Sequence, residues 1–261
     1  MESKSLQNNP LRHLLWLSIP LFVAVLFVAV TLISSAAYSL ALEATKTVML
    51  WDPSNCYLVI SVHHVFQAII AFAVILLFAL ISRKKLTAFG LNSNKFPYAL
   101  RSVLIFTAIW FVFQLTASLI VARTNSHSTM LAYPLNARNY IGNFLFEILL
   151  SGTSEEILFR AMTIPPMLFV FQTFIKKENV AWGVAIGVAT LVFTLAHINF
   201  NLNPFAITHL NPTQLLTCVI FGVYYGILLK KTGSILGPML AHNLLNGAIT
   251  LIGLLMTLWY R

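Results

Sequence analysis

Long apolar blocks alternate with short polar ones along this chain. The blocks run from about Leu14 to Leu42, Tyr57 to Ser82, Tyr98 to Ala122, Asn139 to Ile175, Val180 to Phe200, Gln214 to Leu229 and Ser234 to Tyr260. A run of roughly 18 or more apolar residues can cross the hydrocarbon core as a helix. The first block exceeds a signal-peptide core and carries no clean A-x-A site, so it reads as a retained span. Polar residues from Arg123 to Arg138 separate an N-terminal unit of three spans (residues 1–138) from a C-terminal unit (residues 139–261). The fourth block is too long for one straight crossing: about 37 residues would make a helix of about 55 Å, against a core of about 30 Å. Pro165-Pro166 is the expected break, because proline removes a helix donor and clashes with the preceding turn. The pattern therefore predicts an all-α, polytopic transmembrane bundle of seven or eight helices, one of them broken or tilted.

Composition agrees. Charged residues make up 9% of the chain, against roughly 25% in soluble domains, which excludes a disordered chain, a coiled coil and an ordinary water-soluble enzyme. The net charge of +9 lies in short loops, where the positive-inside bias explains it better than nucleic acid does. Lys4, Arg12, Arg83, Lys84, Lys85, Lys95, Arg101, Lys176, Lys177, Lys230 and Lys231 fall on one side of the predicted topology. Lys46, Arg123, Arg138 and Arg261 fall on the other. This predicts a cytoplasmic N-terminus. Cys56 and Cys218 form no CxxC, and Cys218 reads as a small packing residue. Gly183-x-x-x-Gly187 and Gly222-x-x-x-Gly226 predict close contact of the fifth and sixth helices.

Four charges sit inside the fourth block: Glu147, Glu155, Glu156 and Arg160. Each would cost roughly 2.5–3.5 kcal/mol at the centre of a lipid-facing helix, so they are expected to face protein or a wet cavity. Glu156 and Arg160 share a helix face and can pair. Glu155 points about 100° away and lacks a local partner. Glu147 either lines the same cavity or snorkels to the interface. Two further polar pairs follow, Phe193-x-x-x-His197 and His242-x-x-x-Asn246. A glutamate and a histidine can activate water as a general base, and a histidine with an amide can stabilise an oxyanion. Asp52, the one aspartate, excludes a two-aspartate protease. Ser151 and Ser154 lie outside any GxSxG setting and are expected to bond within their helix. His63-His64 and Tyr224-Tyr225 read as packing or surface residues.

Glu155-Glu156-x-x-x-Arg160, Phe193-x-x-x-His197 and His242-x-x-x-Asn246, in this order, resemble the motif series of the CPBP family. That family joins the type II CAAX prenyl endopeptidases with bacterial intramembrane proteases, including bacteriocin-processing and immunity proteins of the Abi group. The likeness covers about Gly142 to Leu255. One departure is Ala161, where the family often has glycine. The resemblance implies a glutamate-dependent intramembrane peptidase. Glu155 would be the base, His197 its partner on the water, and His242 and Asn246 the oxyanion hole. Glu156 would be a second acid oriented through Arg160. No cofactor is implied, although an older reading makes Glu155, His197 and His242 zinc ligands; two histidines and a carboxylate can form such a site, but HExxH is absent. The implied partners are the bilayer and a peptide or protein substrate, possibly lipid-modified, arriving from the lipid or the cytoplasmic side. The expected location is a bacterial inner (plasma) membrane. A non-enzymatic immunity or scaffold protein is the alternative, and a small transporter is disfavoured by the lack of an inverted repeat.

On straight spans His197 and His242 would differ in depth by roughly 10 Å. A short, broken or tilted helix is therefore expected between Pro204 and Pro238.

Overall fold

The computed structural model describes residues 10–124, 131, 133–202 and 205–259. Lys4, Pro204, Tyr260 and Arg261, used above, lie outside them. Helix α1 spans Pro10–Thr45, α2 Leu58–Ser82 and α3 Phe96–Thr124. The fourth segment is a composite. It contains α4 (Ala137–Phe146), a π-helical turn (Glu147–Ser151), α5 (Gly152–Glu156), a second π-helical turn (Ile157–Ala161) and α6 (Ile164–Phe174). Then come α7 (Glu178–Leu195), strands β1 (Asn199–Leu202) and β2 (Phe205–His209), α8 (Pro212–Thr232) and α9 (Leu236–Trp259).

Among the described residues seven helical segments are long and apolar enough to cross a membrane, with Ala137–Phe174 counted as one. The protein is an integral membrane protein. The fourth segment bends at Met162-Thr163, where α-helical bonding lapses into a turn. Pro165-Pro166 sit just beyond, in the first turn of α6, where proline's missing donor costs least. The expected broken helix is present, displaced by one turn.

Two expectations are corrected. The fifth apolar block does not stay helical to Phe200. α7 stops at Leu195, and Asn199–His209 folds back as an antiparallel hairpin with Phe200 opposite Ile207. Helix α8, in contrast, is unbroken. Asn211 caps its first turn, accepting from Gln214 N–H, and Gly233 ends it in the left-handed conformation. The non-helical backbone thus precedes α8, and the short helix is α7. The glycine prediction is half right. A Cβ on Gly222 would meet Thr190 at 2.8 Å and one on Gly226 would meet Ile186 at 2.7 Å, so these two glycines let α8 approach α7. Gly183 and Gly187 have nothing within 4 Å of that position and make no such contact.

The segment holding the four intramembrane charges is also the central one. Its most apolar window is 61% buried, against 6% for α1 and 11% for α3, which leave most of their surface to lipid. The loops sort to two ends. At one end Ile235 N–H donates to Gly90 O, Asn92 Nδ2 to Gly233 O, Lys95 Nζ to Lys231 O and Lys230 Nζ to Asn179 Oδ1. The basic clusters around residues 83–95, 176–179 and 230–231 therefore gather together. At the other end Asn139 Nδ2 donates to Ser54 Oγ and Asn143 Nδ2 to Cys56 O.

Candidate active site

Glu155 and Glu156 lie on the single α-helical turn between two π-helical turns. A π-turn inserts an extra residue per turn and rotates the side chains that follow. Glu156 and Arg160 still meet, Arg160 Nη1 donating to Glu156 Oε1 at 2.9 Å with both side chains essentially inaccessible. Arg160 is sandwiched by rings, with its guanidinium carbon 4.4 Å from the Phe193 centroid and 5.0 Å from that of Tyr225. This stacking suits a planar, weakly hydrated cation in a buried place.

His242, from the second turn of α9, reaches both glutamates. Its Nδ1 lies 2.9 Å from Glu156 Oε1 and its Nε2 lies 3.7 Å from Glu155 Oε2. Its ring stacks on Tyr225 at 5.0 Å. Close approach of α9 to α5 depends on Gly152, where a Cβ would fall 2.5 Å from His242 Cβ and 2.7 Å from Asn243 N. Asn243 clamps the same contact. Its Oδ1 accepts from Thr153 N–H at 3.1 Å and its Nδ2 donates to Thr153 Oγ1 at 2.9 Å.

His197 sits in the turn just past α7, its Nδ1–H donating to Phe193 O at 2.8 Å. A carbonyl can only accept, so this bond leaves Nε2 as the unprotonated nitrogen. Glu155 and His197 both line a cavity of about 820 Å³. Asn246, one turn after His242, donates from Nδ2 to Ser151 Oγ at 3.0 Å, and Glu147 stands beside the same two residues. All seven residues of the three motifs are thus gathered around the central segment.

Sequence reasoning underrated several residues. His63 and His64 are buried and line the cavity with Glu155. Gln67 Nε2 donates to Ser154 Oγ at 2.7 Å, so Ser154, like Ser151, accepts a bond from a neighbouring helix. Tyr225 is fully buried against His242 and Arg160. The signal available was the 3–4 spacing of His63, His64 and Gln67 on one apolar helix, which places three polar groups on one face. The cavity wall also takes Thr31, Ser34 and Ser35 from α1, polar positions on a helix otherwise facing lipid.

Among the described residues no group of three or more His, Cys, Asp or Glu is arranged to hold a metal ion.

Residues 137–248 match the model of the family described as type II CAAX prenyl endopeptidase Rce1-like. The matched span contains every motif residue and is consistent with the CPBP resemblance. Neither the curated proteins nor the solved structures yield a match.

Proposed function

We propose that the protein is an intramembrane peptidase that hydrolyses a membrane-associated peptide or protein with a glutamate-activated water. The observation carrying this reading is the relay Arg160–Glu156–His242–Glu155 at the edge of a cavity. Glu156 accepts the Nδ1 proton of His242, which fixes the tautomer and leaves Nε2 facing Glu155. One water can then touch both Glu155 and a histidine nitrogen. Glu155 takes its proton as the oxygen attacks the peptide carbonyl. His197 orients the water from the other side of the cavity. Asn246 has a second N–H beyond the one given to Ser151 and is suited to donate to the developing oxyanion; His242 can join it when Nε2 as well as Nδ1 carries a proton. Glu155 Oε2 and Glu156 Oε2 are buried and have no hydrogen-bond partner in the protein, and such oxygens are ordinarily hydrogen-bonded. They are where water or a substrate amide is expected.

The basic end supports an N-terminus in the cytoplasm, and the Abi-group likeness supports a bacterial inner membrane. The cavity rim is formed by Val28 and Leu32 of α1 with Ala196, Asn199 and Phe200, at the half away from the basic loops. On this geometry the substrate arrives laterally, between α1 and the hairpin, rather than from the cytoplasm.

The deciding experiment compares wild type with Glu155→Gln in a screen of lipidated and unlipidated membrane peptides, using detergent-solubilised protein. Loss of cleavage with unchanged insertion and thermal stability is expected. Full activity in the variant rejects the mechanism. Partner binding without hydrolysis by wild type favours an immunity or scaffold role.

A further inference from the structure

We propose a headgroup site for an anionic phospholipid at the basic end, remote from the glutamates. A second cavity, of about 690 Å³, lies between the α2–α3 loop, α6 and the start of α7. Arg83, Lys84 and Lys85 form its charged wall, Thr87, Asn92 and Asn94 add polar groups, and Phe169, Leu168 and Trp182 form an apolar wall. No aspartate or glutamate lines it.

The local backbone builds the charged wall. α2 ends with Arg83 in the left-handed conformation, its N–H on Leu80 O and that of Lys84 on Ala79 O. This closure satisfies the last carbonyls and sends three consecutive cations around a tight turn. The Lys84 ammonium stands 5.4 Å over the Phe169 ring. Nearby lysines already have protein acceptors: Lys95 holds Lys231 O and Lys230 holds Asn179. Among the described residues Arg83 and Lys85 have no side-chain hydrogen bond or ion pair. The floor is fixed, because Gly90 O accepts Ile235 N–H, and a Cβ on Gly90 would lie 2.8 Å from Ile235 Cγ2.

Guanidinium and ammonium groups beside hydroxyl and amide donors suit a phosphate diester. Trp182 and the phenylalanine wall suit the glycerol and upper acyl region, since indole favours the bilayer interface. Basic pockets between membrane helices bind lipid phosphates in this manner. The apolar wall favours a lipid over free phosphate.

The test is native mass spectrometry and thermal unfolding of the full chain in detergent, titrated with phosphatidylglycerol, phosphatidylcholine or inorganic phosphate. Phosphatidylglycerol is expected to be retained and to raise Tm, with the other two doing neither. Each lost charge should weaken binding roughly fivefold, so Arg83→Gln/Lys85→Gln should lose more than tenfold. Arg101→Gln, a basic-end change outside the cavity, should lose little. Ala88→Trp keeps every charge but fills the cavity, and should also abolish retention. Equal retention by Arg83→Gln/Lys85→Gln or by Ala88→Trp overturns the site. Equal shifts with inorganic phosphate or phosphatidylcholine overturn the lipid assignment.

Discussion

His242 and Arg160 share one acceptor: Glu156 Oε1 lies 2.9 Å from His242 Nδ1 and 2.9 Å from Arg160 Nη1. One carboxylate therefore both neutralises a buried guanidinium and sets the tautomer of the histidine that faces Glu155. Removing one member of a buried ion pair costs roughly 3–5 kcal/mol, whereas replacing both by apolar groups of similar volume is often neutral. Arg160→Met and Glu156→Leu are each expected to destabilise strongly. The double variant should regain most of the lost Tm, a coupling that a double-mutant cycle in detergent would measure. It should not regain cleavage, because His242 has lost its Nδ1 acceptor. For the milder Glu156→Gln, a rate loss on the order of 10²–10⁴ is expected by analogy with a triad whose orienting acid becomes an amide. Recovery of activity in the double variant would show that Glu156 serves stability alone.

Gly152 gives the sharpest steric prediction. Its missing Cβ is what lets Glu155 and His242 share a depth, since a methyl there would stand 2.5 Å from His242 Cβ. Overpacking of this kind costs roughly 1–3 kcal/mol, and part of the strain should be relieved by moving α9 away. Gly152→Ala is expected to lower Tm by several degrees and cleavage by more than tenfold. Gly187→Ala has open space and removes a helix-weakening glycine worth roughly 1 kcal/mol, so its Tm should hold or rise. Equal effects of the two substitutions would sever the argued link between this contact and the site.

These two glycines mark the limit of what the sequence reveals. Block lengths predicted seven or eight helices, and seven spans are found among the described residues, because bilayer thickness sets a length that composition alone can meet. The EExxxR string announced a buried pair, because charge in lipid is costly wherever it occurs. Pairing of His242 with Glu156 could not be read, since it needs the rotation introduced by the two π-turns, which leave no compositional trace. The hairpin at Asn199–His209 was hidden for a similar reason: the alternation of Phe200 and Leu202 with Asn199, Asn201 and Asn203 lasts only a few residues and, next to Pro204, reads as a loop between spans. Gly152 and Gly187 look alike in sequence, and only the neighbours at each position separate them.

Metal dependence is tested by chelation. Cleavage by wild type should be unchanged after treatment with a strong zinc chelator, because the proposed mechanism uses a glutamate-activated water and no metal. Activity lost on chelation and restored by zinc would instead establish the metallopeptidase reading.

Asp52 links acidity to the outer scaffold that positions α2. Its Oδ2 accepts from Tyr57 N–H and Leu58 N–H, both at 2.8 Å, and its Oδ1 accepts from Cys56 N–H at 3.1 Å. Burial alone would raise its pKa, but these three backbone donors prevail and hold the carboxyl below its usual 3.8. The same burial, with the Asp52 charge, pushes the Cys56 thiol up to about 11, so it remains an unreactive thiol at neutral pH. A depressed carboxyl pKa favours the folded state at any pH above the unfolded value, and that contribution fades as the pH falls through the folded value. Asp52→Ala should therefore lower stability at pH 7 by about 1–2 kcal/mol, the usual cost of losing a helix-capping side chain. The deficit should shrink as the pH is lowered below about 4, because wild type then loses the same charge. Thermal unfolding in detergent from pH 3 to pH 7 checks both points. A stability difference that stays constant across this range would mean that the ionised carboxylate contributes nothing beyond its hydrogen bonds.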